Sequence, residues 1–183
     1  GGTATLAVGS GDDTLTGVAL AAGGKIVGVG YFSTGPENDW FAVRLDAAGA
    51  PDATFDGDGI ATVVLGRGND QGYAVAVEAD QKIVVAGASG PSQYVVDFAL
   101  ARYGTDGVLD AGFGAGGLVQ TAVSAGEDRT HATAIQPDGK ILAAGFARVA
   151  PGTDFAVVRY EADGSLDATF AANGVALIPI GLS

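Results

Sequence analysis

Three copies of one hairpin phrase constrain this chain more than any other feature. Residues 134–145 read Ala-Ile-Gln-Pro-Asp-Gly-Lys-Ile-Leu-Ala-Ala-Gly, residues 75–87 Val-Ala-Val-Glu-Ala-Asp-Gln-Lys-Ile-Val-Val-Ala-Gly, and residues 18–30 Val-Ala-Leu-Ala-Ala-Gly-Gly-Lys-Ile-Val-Gly-Val-Gly. Lys25, Lys82 and Lys140 fall 57 and 58 residues apart. Asp138-Gly139 between two apolar runs is a strong hairpin signal, and a two-residue turn of this kind needs positive φ at both central residues. A period in this range makes the chain a tandem repeat.

With the repeat as a ruler, the units are 2–58, 59–116 and 117–173, with a partial fourth at 174–183, all in one domain spanning 1–183. Each begins on a glycine (Gly2, Gly59, Gly117, Gly174) followed by a short apolar strand at 3–8, 60–65, 118–123 and 175–180. A Gly-acid-Asp turn, the two hairpin strands and a loop of variable sequence come next. The loops, 31–38, 88–96 and 146–153, each carry Pro beside Gly, which marks non-strand structure. A final strand (Asp-Trp-Phe-Ala-Val-Arg-Leu at 39–45 and its equivalents at 97–103 and 154–160) is apolar on both faces, so it is expected to be covered on both sides. No window has sustained helical periodicity. The expected fold is all-β: three tandem four-stranded propeller-type blades plus one extra terminal strand.

Glycine supplies 31 of 183 residues, a surplus that fits many tight turns but lacks the three-residue period of collagen. The formal charge of −12, with only nine Lys and Arg, argues against a nucleic-acid surface and against anionic membranes. No apolar run approaches the ~18 residues of a membrane-spanning helix. Without Cys there are no disulfides and no thiolate sites. Gly1-Gly2-Thr3 is neither a signal peptide nor a starting Met, so the chain reads as a processed or excised piece. An acidic, Gly-rich, Cys-free repeat fits an extracellular or cell-surface protein.

The phrases Gln136-Pro137-Asp138-Gly139-Lys140-Ile141, Arg159-Tyr160 and Leu166-Asp167-Ala168-Thr169-Phe170 resemble the delta-60 repeat family, β-propeller-type tandem repeats of bacterial exported proteins. The resemblance covers essentially the whole chain. Departures are Gln81 where Gly is expected, Gly23 for Asp, Leu45 for Tyr and Pro51 for Leu. It implies a propeller-like fold and no settled activity.

Residues needed once per unit are scaffold before they are catalysts. Arg44, Arg102 and Arg159 each stand in an apolar strand, where an unpaired charge is costly. They are expected to be buried on Asp52, Asp110 and Asp167, with the guanidinium fork taking each carboxylate bidentately. The Gly-acid-Asp turns and Asp56-Gly57-Asp58-Gly59 raise a calcium reading, but the spacing is that of Asx turns, so no metal and no cofactor is expected. The lone His131 aligns with Thr16 and Tyr73 at a variable strand position and brings no triad with it. Function is therefore sought in the loops, where Tyr31, Phe32 and Tyr94 could stack on a sugar or a partner, although packing against the neighbouring blade is the plainer reading.

The expectation is a non-enzymatic secreted or cell-surface structural protein that assembles with itself, head to tail, into a ring or filament. Its assembly strands are expected at the chain ends, bounded by Thr3 and Val8 and by Val175 and Ile180, through strand addition. A carbohydrate-binding or adhesive module, with surface glycans as partners, is the alternative. A hydrolase on the same rim is the weaker rival.

Overall fold

The computed structural model describes residues 2–35, 37–65 and 68–179, and among them the regular structure is almost wholly β. Twelve strands form three four-stranded antiparallel sheets. Blade 1 holds β1 (Asp13–Leu20), β2 (Ile26–Ser33), β3 (Asn38–Leu45) and β4 (Ile60–Val63). Blade 2 holds β5 (Gln71–Val77), β6 (Ile83–Ser92), β7 (Val95–Tyr103) and β8 (Leu118–Thr121). Blade 3 holds β9 (Asp128–Ile135), β10 (Ile141–Ala147), β11 (Asp154–Tyr160) and β12 (Val175–Ile178). No helix among the described residues is long and apolar enough to cross a membrane.

Sheet and sequence unit are out of phase. The short strand that opens each sequence unit pairs with the last strand of the unit before it: β4 with β3, β8 with β7 and β12 with β11. Four copies of that strand exist, and three sheets use three of them. The copy left over is the first. Residues 3–8, expected as a strand, belong to no sheet, because no third strand precedes them within the 183 residues. Their neighbourhood is tied instead through Asp13, whose carboxylate accepts from the Val8 and Gly9 amides at 2.9 and 3.2 Å. At the other end, Val175–Ile178 pairs within its own blade as the edge strand beside β11. Ile180 lies outside the described residues.

The hairpin turn also differs from expectation. Gly139 has φ of +87°, but Asp138 is not left-handed. The Gly139 amide donates to the Gln136 carbonyl, and the Gln136 amide donates to the Lys140 carbonyl. Pro137 presets the first central position of a type I turn, and the glycine follows as a bulge. Gln81, in the equivalent glycine place, takes φ of +69° itself and spends its side chain across the seam, where its Oε1 accepts the Ala22 amide at 2.6 Å. The second variable loop is shorter than expected: β6 continues through Gly90 and Pro91 to Ser92. Pairing with β7 shifts between Ser89 and Ser92, so the proline needs no ladder bond there.

The cores lie between blades. One face of blade 1 (Val27, Val29, Trp40, Ala42) packs on the opposite face of blade 2 (Ile83, Val85, Ala99, Ala101, Tyr103). The other face of blade 2 (Val84, Ala86, Phe98, Leu100) packs in the same way on blade 3 (Ile141, Ala143, Ala156, Val158, Tyr160). In blades 1 and 2 the third strand is buried on both faces, which accounts for its unbroken apolar run. The innermost strands β1, β5 and β9 lie side by side in that order.

Candidate functional site

Each blade carries the same charged cluster, and in blades 1 and 2 it closes the seam to the next blade. Arg44 Nε meets Asp52 Oδ2 at 2.7 Å, Arg102 Nε meets Asp110 Oδ2 at 2.9 Å, and Arg159 Nε meets Asp167 Oδ2 at 2.7 Å. The same Oδ2 also takes a lysine: Lys25 at 2.7 Å, Lys82 at 3.0 Å and Lys140 at 2.8 Å. In blades 1 and 3 the other oxygen accepts the amide and hydroxyl of Thr54 or Thr169. The fork is therefore not bidentate across two carboxylate oxygens, because one oxygen is occupied by the turn. Each guanidinium also lies over the phenylalanine of the same Asp-x-x-Phe segment, 4.8, 4.6 and 4.5 Å from the rings of Phe55, Phe113 and Phe170. Arginine, aspartate and phenylalanine thus form one unit, and the recurring lysine completes it.

The arginine also reaches across the seam. Arg44 Nη1 donates to the Thr105 carbonyl at 2.6 Å, and Arg102 Nη1 donates to the equivalent Ala162 carbonyl. Backbone bonds repeat beside them, from Asp56 N to Asp106 O at 2.7 Å and from Gly114 N to Asp163 O at 2.8 Å.

These partners set the titration. Lys25, then Thr54, holds the Asp52 carboxyl well below the usual carboxylate range, and Lys140, then Thr169, does the same for Asp167. A carboxyl depressed in the folded state contributes stability that is complete above its unfolded value and lost as pH falls towards the folded one. Burial pushes Asp39, Asp70, Asp97 and Glu78 the other way, so their contribution improves on acidification. Thermal unfolding of Asp52→Asn/Asp167→Asn is expected to show a lower midpoint at pH 7. It is also expected to fall less steeply than the parent between about pH 5 and about pH 2. Parallel curves for parent and variant would contradict the assignment.

The Gly-acid-Asp acids hold loops. Asp70 accepts from the Leu65 amide at 3.0 Å, and Asp128 from the Val123 and Ser124 amides at 2.8 and 2.7 Å. Among the described residues no three His, Cys, Asp or Glu side chains converge as a metal site.

A second feature was not legible in the sequence. Each innermost strand is bulged opposite a recurring glycine, at Thr16, Tyr73 and His131 facing Gly30, Gly87 and Gly145. Bulges re-aim side chains, and here those of Thr16 and Tyr73 aim at the next blade. Thr16 Oγ1 donates to the Gly72 carbonyl at 2.7 Å. Tyr73 stands between Tyr31 and His131, at ring separations of 6.4 and 5.3 Å, and its hydroxyl meets Arg129 Nη1 at 2.7 Å. Arg129 is further bonded to Glu127, Gln71 and the Gln93 carbonyl. His131, on the last blade, stacks on Phe146 and is exposed. Recurrence of the glycines was the available signal, but bulges depend on pairing.

Of the three loop aromatics, Tyr31 is half-buried against Tyr73, and Phe32 is half-buried beside Gly9. Tyr94 is 68% exposed at the β6–β7 turn. They form no shared stack. Trp40, equivalent to Phe98 and Phe155, is core.

Three like sheets, packed face to face and sealed by one cluster per seam, define a β-propeller-type tandem-repeat protein. Residues 24–55, 78–113 and 136–170 match the beta-propeller domain of unknown function DUF5122. The chain belongs to that family. No curated protein sequence matches it.

Proposed function

We propose that this chain is a non-enzymatic structural repeat protein of the cell surface or extracellular space, whose open blade faces bind further blades. One observation carries the reading. Trp40 and Phe98 are 0% exposed in their seams, whereas the equivalent Phe155 on blade 3 is 39% exposed. Its cross-strand partner Ile178 is 50% exposed, against 6% for the equivalent Val63. A face built to be covered is open, and apolar faces of this kind mark interaction sites. The recurring charges support the same view, since the seam clusters already use them. The resemblance to delta-60 repeats of exported proteins, together with a Cys-free acidic composition, supports an extracellular setting.

Sedimentation of the intact chain from low to high micromolar concentration is expected to show self-association. Phe155→Asp/Ile178→Asp should remain monomeric with an unchanged circular dichroism spectrum. A chain that stays monomeric throughout would refute the proposal.

A further inference from the structure

Resting on that reading, we propose that the open face of blade 3 docks on blade 1 of a second copy of this chain. It takes the place that residues 2–8 hold in a single chain, and two copies make a six-bladed ring. The two internal seams supply the pattern. In each, the arginine of one blade donates to a backbone carbonyl three residues past the arginine of the next, and an amide four residues past the aspartate donates to the carbonyl one residue further on. Blade 3 carries the same donors, Arg159 Nη1 and the Ala171 amide. Among the described residues Arg159 is bonded only to Asp167, through Nε, and the Ala171 amide donates to no acceptor. Blade 1 carries the matching acceptors, the Ala47 and Ala48 carbonyls, on an exposed turn. Their equivalents in blade 2, Thr105 and Asp106, already receive blade 1.

The receiving face of blade 1 is Phe41, Val43 and Leu45, equivalent to Ala99, Ala101 and Tyr103, which receive blade 1 in the first seam. Among the described residues, the segment 2–8 lies against this face. That cover buries Phe41 and Val43 but is thin: residues 2–7 are exposed, none is in a sheet, and a cavity of about 300 Å³ lies between Leu6, Val8, Phe41 and Val43. The cover cannot stay when blade 3 arrives. By repeat equivalence residues 3–6 would fall on the fourth-strand position of the incoming blade, and β12 already occupies it. Docking is head to tail, and two chains give six blades, within the four to eight at which propellers close.

The chain has no Cys, so a disulfide reports the contact directly. The intact chain carrying Ala48→Cys/Ala171→Cys, both at exposed positions, is expected to give a covalent dimer of twice 17.9 kDa on a non-reducing gel. Removing residues 1–8 should tighten association by about tenfold or more, because the binding-competent face no longer has to be uncovered. Association without the cross-link would overturn the blade 3 to blade 1 contact while leaving self-assembly standing. A chain monomeric at every concentration would overturn both. Unchanged or weaker association on removing residues 1–8 would overturn displacement of the cover.

Discussion

Arg102→Ala is expected to lower the stability of the fold by about 3–5 kcal/mol, the range for breaking a buried ion pair from one side. Arg102 is 7% exposed. It holds Asp110 through Nε and Nη2 at 2.9 Å, donates to the Ala162 carbonyl across the second seam and covers the Phe113 ring. Glu78, 3.7 Å away, already has one buried carboxylate oxygen without a partner. Losing the guanidinium therefore removes the seam bond and takes the arginine cation from two half-buried acids at once. Arg159→Ala should cost less, since that side chain is 22% exposed and has no next blade to hold. Urea unfolding of both variants tests the difference. An unchanged midpoint for Arg102→Ala, or equal losses for the two, would contradict the assignment.

Gly87→Ala should cost about 3 kcal/mol, at the upper end for overpacking, because backbone rather than a side chain is in the way. A Cβ at Gly87 would strike the Gln71 carbonyl, with the Gly72 Cα at 3.0 Å behind it. The same collision awaits at Gly30 with the Thr14 carbonyl and at Gly145 with the Arg129 carbonyl. All three glycines lie opposite the bulge at Thr16, Tyr73 or His131, and in the first two blades that bulge turns the side chain towards the next blade. Gly152→Ala, facing open space, should change stability by no more than about 0.5 kcal/mol. Denaturation midpoints of the two variants decide the point, and a neutral Gly87→Ala would remove the steric account.

Much of the candidate site was legible because the repeat separated scaffold from ornament. One Arg per unit in an apolar strand demands a carboxylate, and the Asp-x-x-Phe segment was the natural source. The lysines recur just as regularly, yet an exposed turn lysine and a seam lysine read alike until the chain is folded. Gly139 announced the hairpin, but Pro137, two residues ahead, decided its type. Gly90-Pro91 read as a loop, whereas a bulge let the strand run through it.

The sequence by itself determined the number of units, the four strands in each, the faces that are apolar and the charged residues each unit needs. Period and alternation are local, so they survive without knowledge of partners. Only the tertiary structure decided which unit owns each short strand and which end of the chain is left over. It also decided that the third-strand arginine seals the next blade as well as its own, and where the inner strands bulge. Those outcomes depend on hydrogen bonds and packing between segments 17 to 61 residues apart, where a strand of four residues pairs with whichever neighbour the preceding turn delivers it to.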